Sequence, residues 1–156
     1  MLVCASQAAS QSVKRKGKLA VVCPNPAVKC PTSHPFAPND LPFRVPRNAF
    51  IYESEFFYAV ILKTNPAQNG ENCEAFIPED ERLQIQTLFL RYKVFTSRCY
   101  EPGLNFYTNV KSEALFMAVY AGRTRSSAAG VLRAVKATKR FPGAYLRRMQ
   151  AGINGT

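Results

Sequence analysis

At 156 residues and 47% hydrophobic content, the chain has room for one domain with a modest core and not for two. Its formal charge of +11 is concentrated: residues 1–49 carry seven Lys or Arg against one acid, residues 50–110 five against eight, and residues 111–156 nine against one. No run nears the ~20 apolar residues of a membrane helix, and one histidine, His34, with no Cys-x-x-Cys pair leaves a structural zinc without ligands or spacing; the field favours polyanions, whether nucleic acid, anionic lipid or cell-wall polymer.

Residues 1–49 hold most of the prolines and read as an extended basic tail or linker, with the folded domain at 50–156. Lys14, Arg15, Lys16 and Lys18 precede the apolar run Leu19, Ala20, Val21 and Val22, which is too short for a secretory signal and is closed by Pro24. Leu41, Phe43 and Val45 alternate as an edge segment lying along the domain would. Residues 56–63, dense in aromatic and β-branched side chains, predict the first strand, closed by turn signals at Asn65, Pro66, Asn69 and Gly70. Pro78 opens a helix whose first turn carries Glu79, Asp80 and Glu81, complementing the positive end of its dipole. Ile85, Leu88, Phe89 and Tyr92 supply its core face, with Arg82, Gln84 and Arg91 on the others.

Residues 93–99 read as a strand, Glu101, Pro102 and Gly103 as a turn, and residues 106–110 as a returning strand, which makes an extra hairpin. Ala114–Gly122 is the next main strand. Ser126 or Ser127 caps a second helix, with Ala128, Val131, Leu132 and Val135 as its buried stripe and Lys136, Lys139 and Arg140 in its last turn. Phe141, Pro142 and Gly143 end it, and residues 144–150 form the closing strand. Cys4, Cys23, Cys30, Cys73 and Cys99 are an odd set. Cys73 and Cys99 flank the first helix and its following strand, and are either joined by a disulfide in an oxidising compartment or two partly buried thiols in a reducing one.

This order predicts an α+β fold, a ferredoxin-like or RNP-like split βαβ sandwich. Two helices lie on one face of a mainly four-stranded antiparallel sheet, the other face staying open, with the extra hairpin and the N-terminal tail outside that plan. Alternation sends Tyr58, Val60, Leu62, Met117, Val119 and Ala121 toward the helices, and Phe57, Ala59, Ile61, Lys63, Phe116, Ala118 and Tyr120 toward the open face. Either Phe57, Tyr120 and Lys63 then form a platform rimmed by Arg123 and Arg125, or the two rings are covered by the N-terminal tail or turned to the core. Arg147 and Arg148 either send one guanidinium to the same surface or are solvated edge charges. Catalysis finds little footing. No Ser-His-Asp or Cys-His set can be built on the domain, the acids at 79–81 act as dipole partners, and no cofactor is expected.

The chain resembles the sporulation-related repeat, or SPOR, domain of bacterial cell-envelope proteins. The resemblance rests on Phe57, Tyr58, Ala59, Val60, Ile61 and Leu62; on Ala118, Val119, Tyr120, Ala121 and Gly122 followed by residues 123–129; and on Phe141, Pro142, Gly143, Ala144, Tyr145 and Leu146. It covers about residues 56–150. It implies a fold of two helices on a four-stranded antiparallel sheet and non-catalytic binding of peptidoglycan glycan strands. It further implies a place in the envelope or periplasm, with other envelope or division proteins as further partners. Ile61 stands where the family has a polar residue, Lys63 or Thr64 where it has a glycine, and Thr124 where it has an aromatic. The expected glycan-binding residues are Phe57, Ile61, Lys63, Phe116, Tyr120, Arg123, Arg125, Arg147 and Arg148. An RNA-recognition module is the rival reading, weakened because Leu115–Gly122 lacks the aromatic-rich motif expected there. A protein-interaction adaptor is the third.

Overall fold

The computed structural model describes residues 19–30, 41–46, 51–66, 77–97, 105–110 and 114–154. In chain order the elements are β1 (Val21–Val22), β2 (Phe43–Arg44), β3 (Ile51–Glu53), β4 (Phe57–Pro66), α1 (Glu79–Gln86), β5 (Val94–Thr96), β6 (Asn105–Tyr107), β7 (Ala114–Gly122), α2 (Arg125–Ala137), β8 (Tyr145–Met149) and β9 (Ala151–Asn154). Four of the strands form the main sheet in the order β5-β7-β4-β8, with every neighbouring pair antiparallel. The first and third strands of the repeat thus lie in the centre, which is the α+β split βαβ arrangement expected.

The helices build one core. α1 starts behind Pro78 with Glu79, Asp80 and Glu81 in its first turn. α2 is capped by Thr124, whose hydroxyl accepts from the Ser127 N–H at 3.2 Å; the serines read as caps lie one turn too late, because only Thr124 has the extended backbone a cap requires. Val60, Met117, Val119 and Ala121 from the sheet meet Ile85, Ala128, Val131 and Val135 from the helices, with Tyr58, Leu62 and Leu132 packed at the border. Arg82, placed by periodicity on a solvent face, is buried instead. Its guanidinium pairs with Glu79 and donates to the Val94 carbonyl at 3.2 Å. α1 stops at Gln86, so Leu88, Phe89 and Tyr92 belong to the turn that follows.

The other face of the sheet is not open. β1 pairs with β2, and β9 lies between β3 and β6 in a further antiparallel sheet. Val22, Leu41, Phe43, Tyr107 and Ala151 from these segments join Phe57, Ala59, Ile61, Phe95, Phe116, Ala118 and Met149 in a second core. Leu41, Phe43 and Val45 do lie along the domain, all buried, but so do Ala20, Val22 and Cys23. The segment read as a tail therefore supplies core, and the folded unit starts before residue 50. A parallel bridge from Ala20 to Ser54 fastens it, with Ala20 N–H donating to the Glu53 carbonyl and Glu55 N–H to the Ala20 carbonyl.

Two further corrections follow from pairing. β6 bonds to β9 rather than to β5, so residues 93–110 do not make a hairpin of their own. The chain also continues past β8 into β9, in which only Ile153 has high β-propensity and which pairs on both sides, with β3 and β6. A disulfide joins Cys23 to Cys30 across seven positions. Cys73 and Cys99, the pair considered from sequence, lie outside the described residues.

Candidate functional site

Alternation sorts the sheet residues onto their faces correctly as far as Leu62, yet the platform does not exist as a surface. Phe57 is 0% exposed, its ring centroid 6.1 Å from Phe43, 6.3 Å from Phe95 and 5.9 Å from Tyr120. Phe116 is buried edge-on against Phe95 and Tyr107, and Ile61 is buried in the same cluster. A ligand cannot stack on rings already stacked on by the protein's own chain. Lys63 leaves the site for another reason. The register of β4 on β7 shifts between Ile61 and Lys63, so Leu62 is an extra residue and Lys63 turns to the helix side, where its Nζ meets Glu81 at 3.0 Å. A bulge of this kind inverts alternation for every residue beyond it.

Tyr120 and Arg123 stay together, but in a fastening role. Tyr120 is half-buried against the second core. Burial pushes its hydroxyl above the ordinary tyrosine range, the neighbouring Arg123 charge opposes that shift, and Glu55 adds to it. Arg123 Nε lies 2.8 Å from Glu55 Oε1, and Nη2 donates to the Val22 carbonyl at 3.3 Å. One guanidinium thereby ties the start of α2 to the link between β3 and β4 and to β1. Gly122, with φ 91°, makes the bend that points Arg123 this way.

The remaining arginines do reach solvent. Arg147 and Arg148 lie on opposite faces of β8, an edge strand of the main sheet, and both are exposed. The Arg147 guanidinium sits 5.3 Å from the Tyr145 ring centroid, and that of Arg148 3.9 Å from the ring of Phe56. Tyr145 is 42% and Phe56 40% exposed, so each ring presents apolar area beside a cation. Asn109 Nδ2 donates to the Arg148 carbonyl at 3.0 Å, closing the C-terminal end of this edge. Arg125 is exposed at the first position of α2, followed on the helix by the exposed Arg133 and Lys136. No acid occurs after Glu113 in the chain. Among the described residues, no carboxylate pairs with Arg125, Arg133, Lys136, Arg147 or Arg148.

Tyr145 and Phe56 were missed from sequence. The pair Tyr145 and Arg147 was findable, since residues two apart on a strand share a face. Phe56 and Arg148 meet only through the pairing of β4 with β8, which no local pattern announces. Among the described residues no three His, Cys, Asp or Glu side chains gather to hold a metal, and no helix is long and apolar enough to cross a membrane. Comparison with protein-family models, with curated proteins and with solved structures found no match in any of the three.

Proposed function

We propose that the chain is a non-catalytic binding module for an extended anionic polymer, and that the polymer is peptidoglycan, held at the β8 edge rather than on the sheet face. The observation that carries this is the pair of exposed ring and guanidinium stacks, Tyr145 with Arg147 and Phe56 with Arg148, on a strand with no acid nearby in sequence. A pyranose ring presents apolar C–H groups that suit Tyr145 or Phe56, while a guanidinium bonds carboxylates of the sugar or of residual stem peptide in a bidentate fashion. The resemblance to the SPOR family supports the same ligand class. The disulfide between Cys23 and Cys30 supports an oxidising compartment such as the envelope, where such a polymer and other envelope proteins would be met.

Sedimentation with purified sacculi tests the reading. Tyr145→Ala combined with Arg147→Ala should weaken binding by about tenfold or more, in line with losing one aromatic contact and one charged contact. Equal binding by the variant and the parent would remove the β8 edge as the site. Nucleic-acid binding is the second reading, favoured by the exposed Arg125, Arg133 and Lys136 along α2. It predicts affinity for single-stranded RNA that falls steeply as salt rises, without any preference for sacculi.

A further inference from the structure

Beyond polymer binding, we infer that the turn after α1 and the C-terminal end of α2 together form a docking tip for an anionic lipid surface. Leu90 is 80% exposed and Leu88 38%, on either side of Phe89, whose side chain is buried. The Phe89 ring lies 6.2 Å from that of Phe141, which directly follows Arg140. That contact sets the leucine turn beside the end of α2. The exposed cations on the two segments that this contact joins are Arg91, next to Leu90, and Lys139 and Arg140, which lead into Phe141.

Three features make this a membrane tip more than a stray apolar patch. The turn is held firmly, because the Gln86 side chain donates to the carbonyls of Phe89 and Tyr92 at 2.9 and 2.8 Å, so the leucines protrude from a fixed loop. Lys139 has φ 57°, a left-handed position just past the helix where glycine is the favoured residue, so a charge is held off the end of α2 at a conformational cost. The acids nearest in sequence, Glu79, Asp80 and Glu81, are at the opposite end of α1, about 10 Å away, and two of them, Glu79 and Glu81, are engaged with Arg82 and Lys63. Leucines that enter the headgroup boundary with cations at the level of the phosphates are the arrangement by which peripheral proteins hold anionic bilayers.

The experiment is co-sedimentation of the full chain with vesicles of phosphatidylcholine alone and of phosphatidylcholine mixed with phosphatidylglycerol. Binding is expected only to the mixed vesicles and should weaken with salt. The double variant Leu88→Ser, Leu90→Ser and, separately, Lys139→Gln, Arg140→Gln should each reduce it by about tenfold or more while leaving thermal unfolding cooperative. Sacculus binding should be unchanged in the leucine variant, so this result stands or falls apart from the peptidoglycan reading. Equal binding to neutral and mixed vesicles would overturn the inference, as would unchanged binding by the leucine variant. A Leu90-dependent dimer in analytical ultracentrifugation, without vesicle binding, would assign the tip to a second copy instead and equally overturn it.

Discussion

Gly122 ends β7 at φ 91°, and a Cβ placed there would come within 2.6 Å of Ser127 Oγ, itself fixed by donating to the Ala121 carbonyl at 3.0 Å. Both the backbone and the space therefore require glycine, and the bend it allows delivers Arg123 to Glu55 and Val22. Gly122→Ala should destabilise the protein by roughly 1–3 kcal/mol, seen as a lower urea midpoint with an unchanged slope. Gly130 gives the opposite sign. It lies inside α2 with open space for at least 4 Å around the position a methyl group would take, so Gly130→Ala should raise stability by roughly 0.5–1 kcal/mol through helix propensity. If the two substitutions moved the midpoint alike, the strain assigned to Gly122 would be wrong. The strand-glycine-helix passage was visible in the sequence, but its purpose was not, since both partners of Arg123 come from far up the chain.

α1 and β5 are joined at Val94 by two side chains, Arg82 on its carbonyl and Gln86 on its N–H. Gln86 accepts the Val94 N–H at 2.8 Å while donating to the carbonyls of Phe89 and Tyr92, so it closes the turn and starts the strand together. Gln86→Ala leaves three backbone groups without that partner and should cost roughly 1–3 kcal/mol, with faster amide exchange confined to residues 86–96. Exchange unchanged there would mean that water substitutes fully. The main elements were legible because their patterns are local: period two in β4 and β7, period near four in α2, acids at the start of α1. The bulge at Leu62 was not, since nothing in Val60, Ile61, Leu62 and Lys63 says where one residue is skipped. β3, β6 and β9 were not recognised as one sheet either. Each has three or four residues, and Ile51 pairs with Asn154 across about two thirds of the chain. The face of a strand can be read from alternation, but what covers that face cannot, because a buried Phe57 and a ligand-binding Phe57 have the same neighbours in sequence.

The main sheet carries a core on each side, and the two are closed by different parts of the chain: the helix side by α1 and α2, the other by β1, β2, β6 and β9. The N-terminal segment is then structural, and this separates it sharply from a linker. Val22, Leu41, Phe43 and Val45 are all buried, and side chains of these types contribute roughly 1.5–3 kcal/mol each, so their loss costs about 6–12 kcal/mol against a typical total of about 5–15. Removing residues 1–46 should therefore abolish the cooperative thermal transition and produce a species that binds a hydrophobic dye, with Phe57 deprived of Phe43. A linker would leave the melting of the remainder untouched, and a fragment from residue 47 that melted as the full chain does would return the boundary to the place composition suggested.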